Sequence, residues 1–228
     1  MQKISEIKNK IEQNNLSLNL TWNNHLVKDM YLYDSYSNAI TELFNNGCHS
    51  ITVASIELLY YLKEHYPNYT FYQSHILSEK QYDLNINDMF DMYVMSKKYN
   101  NNWDKLNNLN NSDKEKIEFL CNDICFPNCN KNIHYETVNQ HLLLNCSETV
   151  NHTPKCLIDK NFKFYNAKRW PTTINPEDID KYVDNGFYHF KLAGRGDDKE
   201  ILLYKICKYF VKPEFFEDIY FSILGGNK

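Results

Sequence analysis

Strand-like and helix-like runs alternate along the chain about seven times with short connections, and this rhythm restricts the fold more than any other feature. The strand-like runs are Leu16–Trp22 (apolar and polar residues alternating), Ser50–Ala54, Thr70–Leu77, Met89–Met95, Lys116–Leu120, Phe162–Tyr165 and Phe187–Leu192. Helix-like runs cover about residues 3–14, Asp34/Ser35 to Phe44, Ile56 to His65 before Pro67, and the Asn-rich stretch 97–111 with Trp103, Leu106 and Leu109 at helical spacing. They continue over His134–Leu144, Pro176–Asn185, Asp198–Val211 and Pro213–Leu224. Gly47 and Gly186 are placed as helix stops, and Asn175 as an N-cap ahead of Pro176. Such alternation predicts a parallel sheet with crossover helices, either doubly wound or a (β/α) barrel. No G-x-G-x-x-G follows a strand and no P-loop occurs, which weighs against nucleotide-binding folds. In a barrel, chemistry gathers at the C-terminal ends of strands. Here those are the positions after Trp22, Ala54, Gln73, Met95, Leu120 and Leu192.

The 228 residues suit one domain, and 43% hydrophobic with 15% aromatic residues excludes wholesale disorder. A net charge of -4, from 25 Lys+Arg and 29 Asp+Glu, gives no field for bulk capture of nucleic acid. The longest apolar runs, Ile201–Leu203 and Ile56–Tyr61, are far too short to cross a membrane. Residues 1–10 are charged and amphipathic, without the apolar core of a signal peptide. The expectation is a cytoplasmic, soluble single domain over 1–228, with a cysteine-rich insertion at about 121–160. Heavy use of Asn reads as the mark of an AT-rich genome, spread wherever the fold tolerates it.

Seven cysteines, an odd number, argue against a secreted disulfide framework. Three of them, Cys121, Cys125 and Cys129, lie where a predicted strand ends, and Cys146 and Cys156 follow downstream. Four thiolates converging from such a region can hold a [4Fe–4S] cluster or a structural zinc ion, and the spacing does not separate the two. Cys121 alternates with Phe119 and reads as strand packing, while Cys48 and Cys207 fall on helical segments and read as structural. His134 and His141 are seven residues apart on one helix face, so they can line a site beside the cysteines or belong to a polar surface helix, the reading that suits His141 better. His75, within the strand-like TFYQSHIL, reads as a core histidine. No H-E-x-x-H or G-x-S-x-G supports a zincin or a serine hydrolase. The last strand ends in Gly194-Arg195-Gly196, where glycines permit a sharp turn or a close approach. Lys191 sits within that strand and needs an anionic partner if buried. Arg195 offers a fork for carboxylate or phosphate, the alternative for the two being a snorkelling lysine and a solvated loop arginine.

The segment IEFLCNDICFPNCNKNIHYETVNQH resembles a signature of the collagenase-like peptidase family U-32 at Asn122, Asp123, Cys125, Cys129 and His134-Tyr135. The stretch RWPTTINPEDIDKYVDNGFYHFKLAGRG resembles the same family at Trp170, Pro176-Glu177-Asp178, Tyr182, Gly186, Phe190-Lys191 and Gly194-Arg195. GCHSITVAS and YPNYTFYQSHIL are weaker echoes. The resemblance implies a TIM-like barrel of about seven strands, lacking the family's first strand, whose open edge a partner chain or a second copy would cover. It also implies a [4Fe–4S] cluster on Cys125, Cys129, Cys146 and Cys156, with zinc as the alternative. Lys191, Arg195 and His134 are then the candidate catalytic residues. The implied activity is oxygen-independent hydroxylation of an RNA base, a small aromatic or a peptide, by an enzyme or an enzyme subunit. Peptidase activity, as the family label states, and a non-catalytic zinc-stabilised binding protein are the alternatives. Asp123 stands where the family has Glu, and Asn130 where a Pro is common.

Overall fold

The computed structural model describes residues 2–26, 29–80, 86, 88–123, 170, 172–194 and 197–225. These fall into two compact units, one within residues 1–94 and the other within 95–228.

The first unit begins with helix α1 (Gln2–Gln13) and alternates thereafter: β1 (Asn19–Trp22), α2 (Ser35–Leu43), β2 (Ser50–Val53), α3 (Ile56–His65), β3 (Thr70–Gln73), α4 (His75–Lys80) and β4 (Met92–Val94). Its neighbours in the sheet are its neighbours in sequence. β1 pairs with β2, β2 with β3 and β3 with β4, all parallel, with Leu20 opposite Ile51 and Ile51 opposite Phe71. All four residues of β2 are buried, as expected of a parallel strand covered on both faces. Helix starts follow local chemistry. Asp34 Oδ1 accepts the Ser37 amide at 2.9 Å, and Ser55 Oγ accepts the Leu58 amide at 3.3 Å. The core gathers Leu58, Leu59 and Leu62 of α3 against Ile51, Val53 and Phe71.

The second unit holds a short helix α5 (Trp103–Leu106), helix α6 (Asn111–Glu115), β5 (Ile117–Leu120), helix α7 (Ile179–Asp184) entered through a 3₁₀ turn at Pro176–Asp178, β6 (His189–Lys191), α8 (Lys199–Phe210) and α9 (Phe216–Gly225). β5 and β6 are parallel, with Phe119 opposite Phe190. Their helix-facing side is aromatic. Phe119 meets Tyr182 of α7 at 4.9 Å and Phe187 at 5.2 Å, both edge-on.

The chain is therefore α/β, with six strands among the described residues and every pairing within each unit parallel and sequential. That is the connectivity of part of a TIM-like barrel. A doubly wound sheet instead reverses its order at a switch point. The predicted strand Phe162–Tyr165 and helix His134–Leu144 lie outside the described residues.

Some local expectations change. The strand starting at Thr70 ends at Gln73, and His75 opens α4, because Ser74 turns the chain: its Oγ accepts the Ile76 amide and its carbonyl the Leu77 amide. Residues 97–111 form a 3₁₀ turn (Lys97–Tyr99) and the short α5, interrupted at Asn101 by left-handed backbone (φ +64). Asn175 makes no side-chain cap to the 3₁₀ turn; its side chain donates to Asp178 instead. Cys48 is exposed in the turn after α2 rather than helical. Gly47 and Gly186 both have positive φ, +81 and +89, the conformation that favours glycine after a helix. No helix among the described residues is long and apolar enough to cross a membrane.

Candidate functional site

In the second unit, charged side chains collect where strands end. β5 leaves the sheet as Cys121-Asn122-Asp123, and each residue has a separate role. Cys121 is buried and its thiol contacts the Phe119 carbonyl; burial pushes its pKa up to about 12, so it is a packing residue and not a nucleophile. Asn122 forms a reciprocal pair with the chain after β6: its Nδ2 donates to the Ala193 carbonyl at 2.8 Å and its Oδ1 accepts the Ala193 amide at 2.7 Å. One side chain thus extends the β5–β6 pairing beyond the last backbone rung.

Asp123 accepts a hydrogen bond from Lys97 Nζ, making an ion pair. The Lys97 side chain is 6% exposed, Asp123 29%. Lys97 opens the 3₁₀ turn Lys97–Tyr99, so the pair ties that turn to the end of β5. Asn100, at the end of that turn, donates from Nδ2 to the carbonyls of Leu120 (2.9 Å) and Thr172 (2.8 Å). Thr172 in turn donates from Oγ1 to the Asp123 carbonyl, and the Ile174 amide donates to Cys121. Residues 172–175 are buried along the end of β5.

Lys191 ends β6 one position beyond Phe190, so strand alternation turns it away from the aromatic side. Its Nζ lies 3.5 Å from Glu118 Oε2, which supplies the anionic partner that a strand lysine requires. Lys191 keeps a third of its side chain exposed, Glu118 only 15%. Burial raises the Glu118 pKa, and the Lys191 charge offsets only part of that. A carboxyl with a raised folded-state value favours folding while protonated. That contribution is present below the ordinary carboxylate range and is lost as pH rises through the folded value. We expect Glu118→Gln to be more stable than the parent at neutral pH, with the difference shrinking towards about pH 4 in paired urea melts. A variant less stable at neutral pH would mean that attraction to Lys191 outweighs burial.

The loop after β6 is held from α8. Lys205 Nζ reaches Asp197 Oδ2 at 2.5 Å and the Ala193 carbonyl at 3.5 Å. Gly194 permits a close approach of a helix, since a Cβ there would lie 2.4 Å from Leu202 Cδ1. The glycine therefore makes room for the protein's own packing.

Of the candidate site residues, the structure describes Lys191. Cys125, Cys129, Cys146, Cys156, His134, His141 and Arg195 lie outside the described residues. Among the described residues no group of three His, Cys, Asp or Glu is arranged to hold a metal ion. Comparison of the chain with protein-family models, with curated proteins and with solved structures finds no match in any of the three. The arrangement itself provides two ammonium groups, Lys97 and Lys191, at strand ends, each with a carboxylate in reach. Such pairs can hold an anionic group or pass a proton. Lys97, Glu118 and Asn100 are absent from the sequence reading. Their only signal is position, Lys97 and Asn100 in or beside the turn at 97–99 and Glu118 within β5.

Proposed function

We propose that the chain is an iron–sulfur protein of the kind that resembles the U-32 family, acting as an oxygen-independent hydroxylase, or as a subunit of one, on a nucleobase, a small aromatic or a peptide. The observation that supports this reading most is the end of β5: Asp123 sits in a charged site with Lys97, and Cys125 and Cys129 follow within six residues. Cys125, Cys129, Cys146 and Cys156 are the thiolates for a [4Fe–4S] cluster, which supplies electron transfer when bound. Lys191 and Arg195 hold an anionic substrate group, with His134 alongside. An exposed sheet edge would be covered by a partner chain or a second copy, as in a heterodimeric or homo-oligomeric enzyme.

The test is the iron, sulfide and zinc content of the full chain purified without oxygen. We expect about four iron and four sulfide per chain with broad brown absorbance, and most of the iron lost in Cys129→Ser. Zinc without sulfide would overturn the cluster in favour of a zinc-stabilised binding protein. Full iron in Cys129→Ser would remove that residue from the ligand set.

A further inference from the structure

We infer that the cleft between the 3₁₀ turn ahead of α7 and the α8–α9 hairpin is a docking site for a basic segment of a partner protein, one that carries a bulky apolar side chain among lysines or arginines. The cleft has a volume of about 540 Å³ and lies wholly within the second unit. Its floor is apolar, with Tyr204 and Val211 of the α8 end facing Phe216 of α9. Four carboxylates, Glu177, Glu214, Glu217 and Asp218, stand around it against one cation, Lys208. None of the four makes an ion pair with another described residue. Next in the chain to the lining residues Val211, Glu214 and Phe216, the aromatic side chains of Phe210 and Phe215 are 77% and 53% exposed, at the two ends of the turn joining the helices.

Two features choose the occupant. Exposed aromatic side chains flanking, in sequence, a cleft floored by Tyr204, Val211 and Phe216 are the anatomy of an interface anchor rather than of an ordinary surface. The surplus of carboxylates selects the sign of the partner, since complementary charge steers association and rejects like-charged chains. A second copy of this chain, with its net charge of -4, is disfavoured by the same argument. Glu214, Glu217 and Asp218 also lie around the first turn of α9, where acids complement the helix dipole. Glu177 stands at a different helix start, the 3₁₀ turn ahead of α7, so acids from two separate elements face the one cleft.

The test selects 12-residue peptides from a random displayed library against the full chain, followed by fluorescence anisotropy with the enriched sequences. We expect enrichment of Lys or Arg flanking an aliphatic or aromatic residue. Binding should weaken at least tenfold in Glu214→Gln/Glu217→Gln, weaken similarly in Phe215→Ser, and fall with added salt. Circular dichroism melts of both variants establish that they are folded, and the two act through different chemistry, so loss in both locates the site. No enrichment, enrichment of acidic or uncharged peptides, or binding unchanged in both variants would overturn the proposal. So would concentration-dependent dimerisation that Phe215→Ser abolishes, because the occupant would then be a second copy.

Discussion

Tyr182→Ala should lower the unfolding free energy by about 3–5 kcal/mol, the range for removing a large buried aromatic side chain. Tyr182 is fully buried on α7 and touches four rings: Trp103 at 4.8 Å, Phe119 at 4.9 Å, and Phe187 and Phe190 at 6.1 Å. It therefore joins α5, β5, β6 and its own helix. Its hydroxyl adds a second function. It accepts the Asn101 amide at 2.9 Å and donates to Asn101 Oδ1 at 3.2 Å, fixing the left-handed residue that links the turn after β4 to α5. Tyr182→Phe keeps the ring and removes that acceptor, so it should cost only about 1–3 kcal/mol, the cost of a stranded amide. Urea titrations followed by tryptophan fluorescence separate the two, since Trp103 abuts the site. If alanine cost no more than phenylalanine, the ring cluster would not be the core of this unit.

The fold was legible where one physical signal acted alone. Leu16–Trp22 and Ser50–Ala54 carry period-two or continuous apolar patterns and end at polar or capping residues, and β1 and β2 form inside those runs. Ile56 to His65, bounded by Ser55 and Pro67, is a helix over those same residues. Legibility failed where side-chain hydrogen bonding competes with periodicity. TFYQSHIL reads as one strand because its apolar residues do not show that Ser74 closes a turn. In 97–111, helical spacing of Trp103, Leu106 and Leu109 is real, but Asn101 and Asn102 divide the stretch. The Asn-rich composition hides this, since most Asn residues carry no signal while Asn100, Asn101 and Asn122 bind backbone groups far away in sequence.

The site was legible only where a residue violates expectation within its own element. Lys191 in an apolar strand is such a violation, and its required anion proved to be Glu118 on the neighbouring strand. Glu118 carries no such signal, because a glutamate between Ile117 and Phe119 fits the polar half of an alternating strand. Only the tertiary fold makes that half buried. Lys97 was illegible for a related reason: a lysine in a Ser-Lys-Lys turn looks solvated until the Asp123 carboxylate reaches it across 26 residues.

That pairing leads to an asymmetry that can be measured. Asp123→Ala should cost about 2 kcal/mol, below the range for a fully buried ion pair because this one is only part-buried, yet more than the reverse change, since Lys97 is 6% exposed and loses the carboxylate that balances its charge. Lys97→Met removes the ammonium and preserves most of the volume, leaving Asp123, with 29% of its side chain exposed, to be solvated; the cost should be about 1 kcal/mol. The double variant removes both charges, so its loss should fall well short of the sum. A structural pair of this kind also fixes the direction in which the chain leaves β5. Asn122 on Ala193 and Thr172 on the Asp123 carbonyl hold that exit on either side. If iron binds on Cys125 and Cys129, Lys97→Met should therefore lower iron retention more than stability, whereas Glu118→Gln should leave it unchanged. Equal stability losses in Asp123→Ala and Lys97→Met would show instead that the ammonium is solvated or held by other groups, and that the end of β5 is organised by Asn122 and Thr172.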